Sequence, residues 1–205
     1  MLEVISDHLL AYQEDRLKSY QKINQSIKSD GIVFAGDSII EFFPLKKYLG
    51  RNLPLYNRGI AGIDTYFLEK HMATYLCPMN AKQLFLLIGT NDLGLGHSIS
   101  EIRGKVVDII ADFKAANSSC QIYLISVLPV SNLEKYASTV KVRSNETIDQ
   151  LNLELATIPD IFFLSVANFL KNNQNALDQA YTKDGLHLNM AGYERLSELL
   201  RPYLK

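Results

Sequence analysis

Five short apolar runs alternate with helical patterns along this chain, and that alternation restricts its fold more than any other feature. The runs are Ile32-Val33-Phe34-Ala35, Leu53-Pro54-Leu55-Tyr56, Leu84-Phe85-Leu86-Leu87-Ile88, Ile122-Tyr123-Leu124-Ile125-Ser126-Val127 and Ile161-Phe162-Phe163-Leu164. Most are continuously apolar, as strands covered on both faces must be. Between them, Ile99, Ile102, Val106, Ile109 and Phe113 step by three and four, as do Ile148, Leu151, Leu155 and Ile158. A last stripe runs through Tyr193, Leu196, Leu199 or Leu200, and Tyr203. Strands alternating with helices build βαβ units, so the expected fold is a three-layer, doubly wound α/β domain with a mostly parallel five-stranded sheet.

Residues 1–29 read as a helical extension ahead of this domain, which spans 30–205. Leu2, Ile5, Leu9 or Leu10, Leu17, Tyr20 and Ile27 lie near one stripe, and Asp30-Gly31 provides the stop. Such a helix either packs on the side of its own domain or forms the contact of a homodimer.

Composition removes several classes of function. The 205 residues are 47% hydrophobic and 21% charged, ordinary globular usage with ample chain for one large core. Lysine and arginine number 21 against 22 acids, a net charge of −1, so no basic excess points to nucleic acid or an anionic membrane surface. The first residues carry acids and lack a basic stretch followed by an apolar one, unlike a secretion signal. No run of about 18 apolar residues is present, so no membrane span is expected. Cys77 and Cys120 lie in or beside apolar segments and read as free thiols. A cytoplasmic location is the expectation.

Ligands of an open parallel sheet sit outside the carboxyl ends of its strands. Here those ends run into Gly36-Asp37-Ser38, Asn57-Arg58-Gly59-Ile60-Ala61-Gly62 and Gly89-Thr90-Asn91-Asp92, and Asp184-Gly185-Leu186-His187 precedes the final helix. A serine hydroxyl needs a base to become a nucleophile, and the base needs a third group to fix its tautomer. Ser38, His187 and Asp184 supply those three types, with backbone N–H groups of Ser38 and Gly62 and the Asn91 amide as oxyanion donors. Taken singly, each turn has a plainer reading: a common turn tripeptide, a helix cap, or an aspartate beside a surface histidine. Their co-occurrence in this order favours the catalytic one.

Together, the segments from Ile32 to Ser38, Asn57 to Thr65, Leu84 to Asp92 and Asp184 to His187 resemble the four signature blocks of the SGNH (GDSL-type) hydrolases. The likeness is greatest to bacterial acylhydrolases similar to platelet-activating-factor acetylhydrolase catalytic subunits. It implies a flavodoxin-like α/β/α fold and ester hydrolysis through an acyl-enzyme, with no metal or other cofactor. Matched position by position, it makes Ser38 the nucleophile, Asp184 and His187 the acid and base, and Ser38, Gly62 and Asn91 the oxyanion hole. Two departures stand out. Ile39 replaces the leucine of the family name, and Gly62-Ile63-Asp64-Thr65 carries an extra residue, which leaves Gly59 as an alternative to Gly62.

Substrate contacts are read from proximity to these blocks. Ile39, Leu93, His97 and Arg58 are candidates, and Ile40, Leu128 and Val130 either shape an acyl pocket or belong to the core. Asp37 and Asp92 read as acceptors for turn amides rather than as proton carriers. The polar stretch 171–183 reads as a flap beside the catalytic turn. The expected activity is hydrolysis of small or acetylated esters. The alternatives are a lysophospholipase- or thioesterase-type acylhydrolase and a catalytically silent flavodoxin-like interaction module.

Overall fold

The computed structural model describes residues 1–27 and 31–205. Its five strands are β1 (Ile32–Gly36), β2 (Leu55–Gly59), β3 (Gln83–Leu87), β4 (Gln121–Ile125) and β5 (Phe162–Leu164). All neighbours are parallel, in the order β2-β1-β3-β4-β5. The helices are α1 (Asp7–Asn24), α2 (Ser38–Glu41), α3 (Leu45–Tyr48), α4 (Thr65–Tyr75), α5 (Thr90–Leu95), α6 (Ile99–Ala116), α7 (Ala137–Val140), α8 (Asn145–Leu155) and α9 (Met190–Leu200). This is the expected three-layer, doubly wound architecture.

The central strands are largely apolar because both of their faces are covered. Val33 and Ala35 of β1, with Leu84 and Leu86 of β3, face a core completed by α1, α4, α6 and α8. Ile32 and Phe34, with Phe85 and Leu87, face a second core completed by α2, α3 and α9. On that face β1, β3, β4 and β5 each place one aromatic ring in register: Phe34 pairs with Phe85, Phe85 with Tyr123, and Tyr123 with Phe162 at the edge. Their centroids are 4.7, 4.7 and 5.0 Å apart and the rings are nearly parallel. Cross-strand contacts of this kind fix register, which sets the level at which each strand ends.

β4 ends at Ile125 rather than at Val127, and β2 and α1 also differ from the sequence expectation. β2 begins two residues later and continues through Asn57 and Arg58 to Gly59, in register with Gly36. Its polar end hid it from a hydrophobic reading; an edge strand can direct such side chains to neighbouring loops and helices. α1 is shorter than expected, starting at Asp7 behind the N-cap Ser6 and ending at Asn24. Asp30 of the expected helix stop lies outside the described residues. α1 lays Leu17 and Tyr20 into the first core. Among the described residues, no helix is long and apolar enough to cross a membrane. Cys77 and Cys120 form no disulfide.

The turns after the strands are organised by capping side chains. Asp37 caps α2 by accepting from the Ile39 amide at 2.9 Å, and Asp64 caps α4 through the Phe67 amide at 2.8 Å. Asp37 is fully buried, and its second carboxyl oxygen meets no donor among the described residues. Burial pushes its pKa up to about 7, the nearby Asp92 adds to the rise, and the Ile39 amide and Arg143 oppose it.

Two predictions follow from these contacts. Phe85→Ala removes the central ring of the aromatic row from a fully buried position and should cost about 3–5 kcal/mol in denaturant unfolding, with the parallel fold retained. For Asp37, the folded value lies above that of an unfolded aspartate, about 3.9, so the native state holds a proton that the unfolded chain releases. The stability that Asp37 contributes is therefore lost as pH rises from about 4 to about 7. Asp37→Asn keeps the capping oxygen and should remove that slope. Its melting temperature would match wild type near pH 4 and exceed it above pH 7, and equal slopes in thermal scans would contradict this.

Candidate active site

Ser38 is the first residue of α2, directly after β1. Its hydroxyl lies 2.9 Å from His187 Nε2, and His187 Nδ1 lies 2.8 Å from Asp184 Oδ2. The other carboxyl oxygen, Asp184 Oδ1, accepts from the amides of His187 at 2.8 Å and Leu186 at 3.1 Å. Partial burial alone would raise the Asp184 pKa, but these donors and the nearby imidazole outweigh it and leave the carboxyl below its usual range. An ionised carboxylate only accepts, so Nδ1 carries the proton and Nε2 is left to accept from Ser38. The histidine turn is itself anchored, since Thr182 Oγ1 donates to the His187 carbonyl and accepts from the Gly185 amide.

Three polar turns are tied to one another beneath this chain of contacts. Asn57 Nδ2 donates to the carbonyl of Ile40 at 2.6 Å, closing the end of α2 against β2. Asp92 accepts from the amide and hydroxyl of Thr65, joining the turn after β3 to the start of α4. The Tyr193 hydroxyl donates to the Ile39 carbonyl, fixing α9 against α2. Burial pushes the Asp92 pKa up to about 6, against the opposing bonds from Thr65.

A cleft of about 400 Å³ opens above Ser38 and is lined by Gly62, Asn91 and His187. The Ser38 amide, at the first position of a helix, has no intrahelical acceptor. Gly62 likewise donates its amide to no acceptor among the described residues. Asn91 Nδ2 spends one N–H on the Ile63 carbonyl at 2.9 Å and retains a second. Gly62 has φ of +76°, a conformation that disfavours any side chain, and an added Cβ would come within 2.7 Å of Leu9 on α1. Gly59 is excluded as a donor because its amide is held by Asn57 Oδ1 at 2.9 Å. The arrangement can deprotonate a serine hydroxyl and present N–H groups to a developing negative oxygen.

The structure thus brings Ser38, Gly62, Asn91, Asp184 and His187 together, and it places the expected substrate contacts elsewhere. Ile39 and Leu93 are buried in the two cores, as are Ile40, Leu128 and Val130, because strand ends in a doubly covered sheet are still core. Arg58 is turned beneath α1, where its Nη2 donates to Asn24 Oδ1 at 2.7 Å and its guanidinium stacks on Tyr20. His97 sits beside Tyr66 and 3.8 Å from Asp64, away from the cleft. Segment 171–183 is anchored through backbone bonds such as Leu177 N–H to the Val130 carbonyl and an ion pair from Lys171 to Asp149. Asp37 and Asp92 accept amides as expected. The remaining cleft wall is Glu3, Phe42, Ala61, Ser138, Thr139, Lys141 and Leu186. Phe42 follows the first signature block and Leu186 lies within the last, so both were within reach of a sequence reading. Glu3 and Lys141 carry no local signal, since they meet only through an ion pair spanning most of the chain.

Residues 34–195, most of the chain, match the model of the GDSL-like Lipase/Acylhydrolase family. A Streptococcus pneumonia structure described as a platelet activating factor is 35% identical, aligns 97% of this chain with 95% of its own, and gives a TM-score of 0.92. A GDSL-like lipase from Bacteroides thetaiotaomicron is 21% identical over 92% of this chain and 96% of that one, with a TM-score of 0.78, and shares the fold. An acetylxylan esterase from Geobacillus stearothermophilus also shares it, at 18% identity, 85% and 94% coverage and a TM-score of 0.63. The N-acylneuraminate cytidylyltransferase of Escherichia coli O18:K1:H7 is 28% identical over 201 residues. That match takes in 95% of this chain, which spans only 45% of the relative. Fold, blocks and matches agree: the chain belongs to the GDSL-like lipase/acylhydrolase family.

Proposed function

We propose that this protein is a serine esterase that cleaves short-chain, acetyl-type carboxylic esters through an acyl-enzyme. The observation that carries the reading is the unbroken line from Ser38 Oγ through His187 to Asp184, at 2.9 and 2.8 Å, beside N–H groups that meet no acceptor among the described residues. His187 Nε2 takes the Ser38 proton as Oγ attacks the ester carbonyl, and Asp184 stabilises the imidazolium. The carbonyl oxygen gathers negative charge against the amides of Ser38 and Gly62 and the side chain of Asn91, each donor being worth about 10²–10³ in rate. His187 then returns the proton to the leaving alcohol. Water, deprotonated by the same imidazole, releases the acyl group and restores Ser38.

Cleft chemistry supports the short acyl chain. Apolar side chains near Ser38 that would accept a long chain are sealed in the cores, while Glu3, Ser138, Thr139 and Lys141 place polar groups on the open wall. Phe42, 46% exposed with its ring 5.8 Å from that of His187, is the aromatic surface left for a small acyl or alcohol group.

Three outcomes are expected. A fluorophosphonate probe should label the wild-type protein and not Ser38→Ala, which should also lose turnover of 4-nitrophenyl acetate. Full activity in that variant would refute the nucleophile. Asp184→Asn should lower kcat by at least about 100-fold with little change in KM, because it withdraws the charge that orients and stabilises the imidazole. Across 4-nitrophenyl acetate, butyrate and octanoate, kcat/KM should be highest for the shortest; a maximum at octanoate would favour a lysophospholipase-type reading instead.

A further inference from the structure

The family match begins at residue 34, yet the segment ahead of it is linked through one intervening residue to each outer donor of the oxyanion hole. On the Asn91 side the link runs through Arg143, whose side chain is wholly buried. Arg143 Nη2 donates to Asn91 Oδ1 at 3.2 Å, and Nε donates to the Thr90 carbonyl at 2.7 Å. The guanidinium lies so close over Gly94 that a Cβ there would come within 2.2 Å of Nη2. Its ion-pair partner is Glu3, whose Oε2 lies 2.5 Å from the same Nη2. Glu3 is fixed in turn by its amide, which donates to the Gly94 carbonyl at 2.8 Å, and by Lys141 at 2.9 Å.

On the Gly62 side the link is α1. Leu9, Tyr12, Gln13, Arg16 and Tyr20 fall on one helical face by their spacing, and that face lies over the turn after β2. Gln13, 1% exposed, donates from Nε2 to the Ala61 carbonyl at 3.1 Å. The Ala61 amide donates to Glu41 Oε2, whose partner oxygen is engaged by Tyr12 and Arg16. Ala61 is therefore held through both its N–H and its C=O, and that carbonyl belongs to the same peptide unit as the Gly62 N–H.

We propose that Glu3 and Gln13 are positioning residues of the oxyanion hole, Glu3 acting through Arg143 on Asn91 and Gln13 acting through Ala61 on Gly62. The inference rests on the serine esterase reading above. Its physical content is orientation. An asparagine amide presents N–H or C=O with equal ease unless a partner chooses, and a C=O turned toward an oxyanion repels it. Arg143 accepts nothing, so its contact with Oδ1 leaves Nδ2 for the cleft and draws electron density away from it. A buried guanidinium without a counter-charge is costly, and Glu3 keeps Arg143 in place. Gln13 acts more simply, by setting the plane of the peptide beside the Gly62 N–H.

The test uses the full chain, with Glu3→Gln, Gln13→Met and Ser38→Ala compared with wild type. Three quantities are read: kcat and KM on 4-nitrophenyl acetate, the inhibition constant of a trifluoromethyl ketone that forms a tetrahedral adduct with serine, and the melting temperature. Each positioning variant should lose about tenfold in kcat, short of the loss expected for deleting a donor outright. KM should stay within about twofold, and ketone affinity should fall in parallel with kcat/KM. The double variant should lose about the product of the two factors, because the two residues act on separate donors. A wild-type kcat, a loss confined to KM, or a kcat loss with unchanged ketone affinity overturns the assignment for that residue. If a substitution prevents folding, Glu3→Asp or Gln13→Asn, which shortens the side chain but keeps its charge or amide, is read by the same criteria. An inactive wild type, or an active Ser38→Ala, would defeat the esterase reading itself. An active wild type with an inactive Ser38→Ala and unimpaired positioning variants would defeat only this inference.

Discussion

Register across the sheet is the constraint on which the rest of the molecule depends. Phe34, Phe85, Tyr123 and Phe162 stack across four parallel strands. A slip of one residue in any strand would move its ring to the opposite face and its neighbours into the wrong core. With the register set, Gly36 lies level with Gly59 on one side and Leu87 on the other, so the turns that follow emerge side by side. A sheet covered on both faces leaves only its ends accessible, and the polar, glycine-punctuated turns collect at one of them.

Three aspartates around Ser38 show how burial separates groups of one chemical type. Asp37 and Asp92 lie beneath the cleft, where desolvation raises their pKa values to about 7 and about 6 and their oxygens serve turn amides. Asp184 is only partly covered and receives two amides and an imidazole, so its carboxyl is held below the ordinary range. Only Asp184 reaches His187, and only it is suited to keep a full negative charge there. The aspartate next to Ser38 in sequence is therefore not the one that reaches His187.

Legibility along the chain divides by range. β1, β3, β4, β5, α6, α8 and most of α9 were readable because each carries its own apolar period, and the blocks around Ser38, Asn91 and His187 because each is contiguous. β2 was misplaced because Asn57 and Arg58 interrupt its apolar pattern, although both find partners in adjacent loops and α1. Ile39 and Leu93 looked like pocket residues through their closeness to the signature blocks. Proximity in sequence at the turn of a strand into a helix says nothing about which side of the turn faces the core, and both face inward.

By itself the sequence determined the class of the fold, its family and the residue types gathered at one end of the sheet. All of these rest on local periodicity and on contiguous turns. Tertiary structure alone decided which groups meet. It paired Glu3 with Arg143 and Lys141 across most of the chain, set Gln13 and Leu9 of α1 over the turn that holds Gly62, turned Arg58 away from the cleft, and occupied the Gly59 amide with Asn57 Oδ1. The physical reason is that hydrogen bonds and ion pairs depend on separations of a few ångströms, and contacts between residues far apart in the chain are set only once the cores have closed.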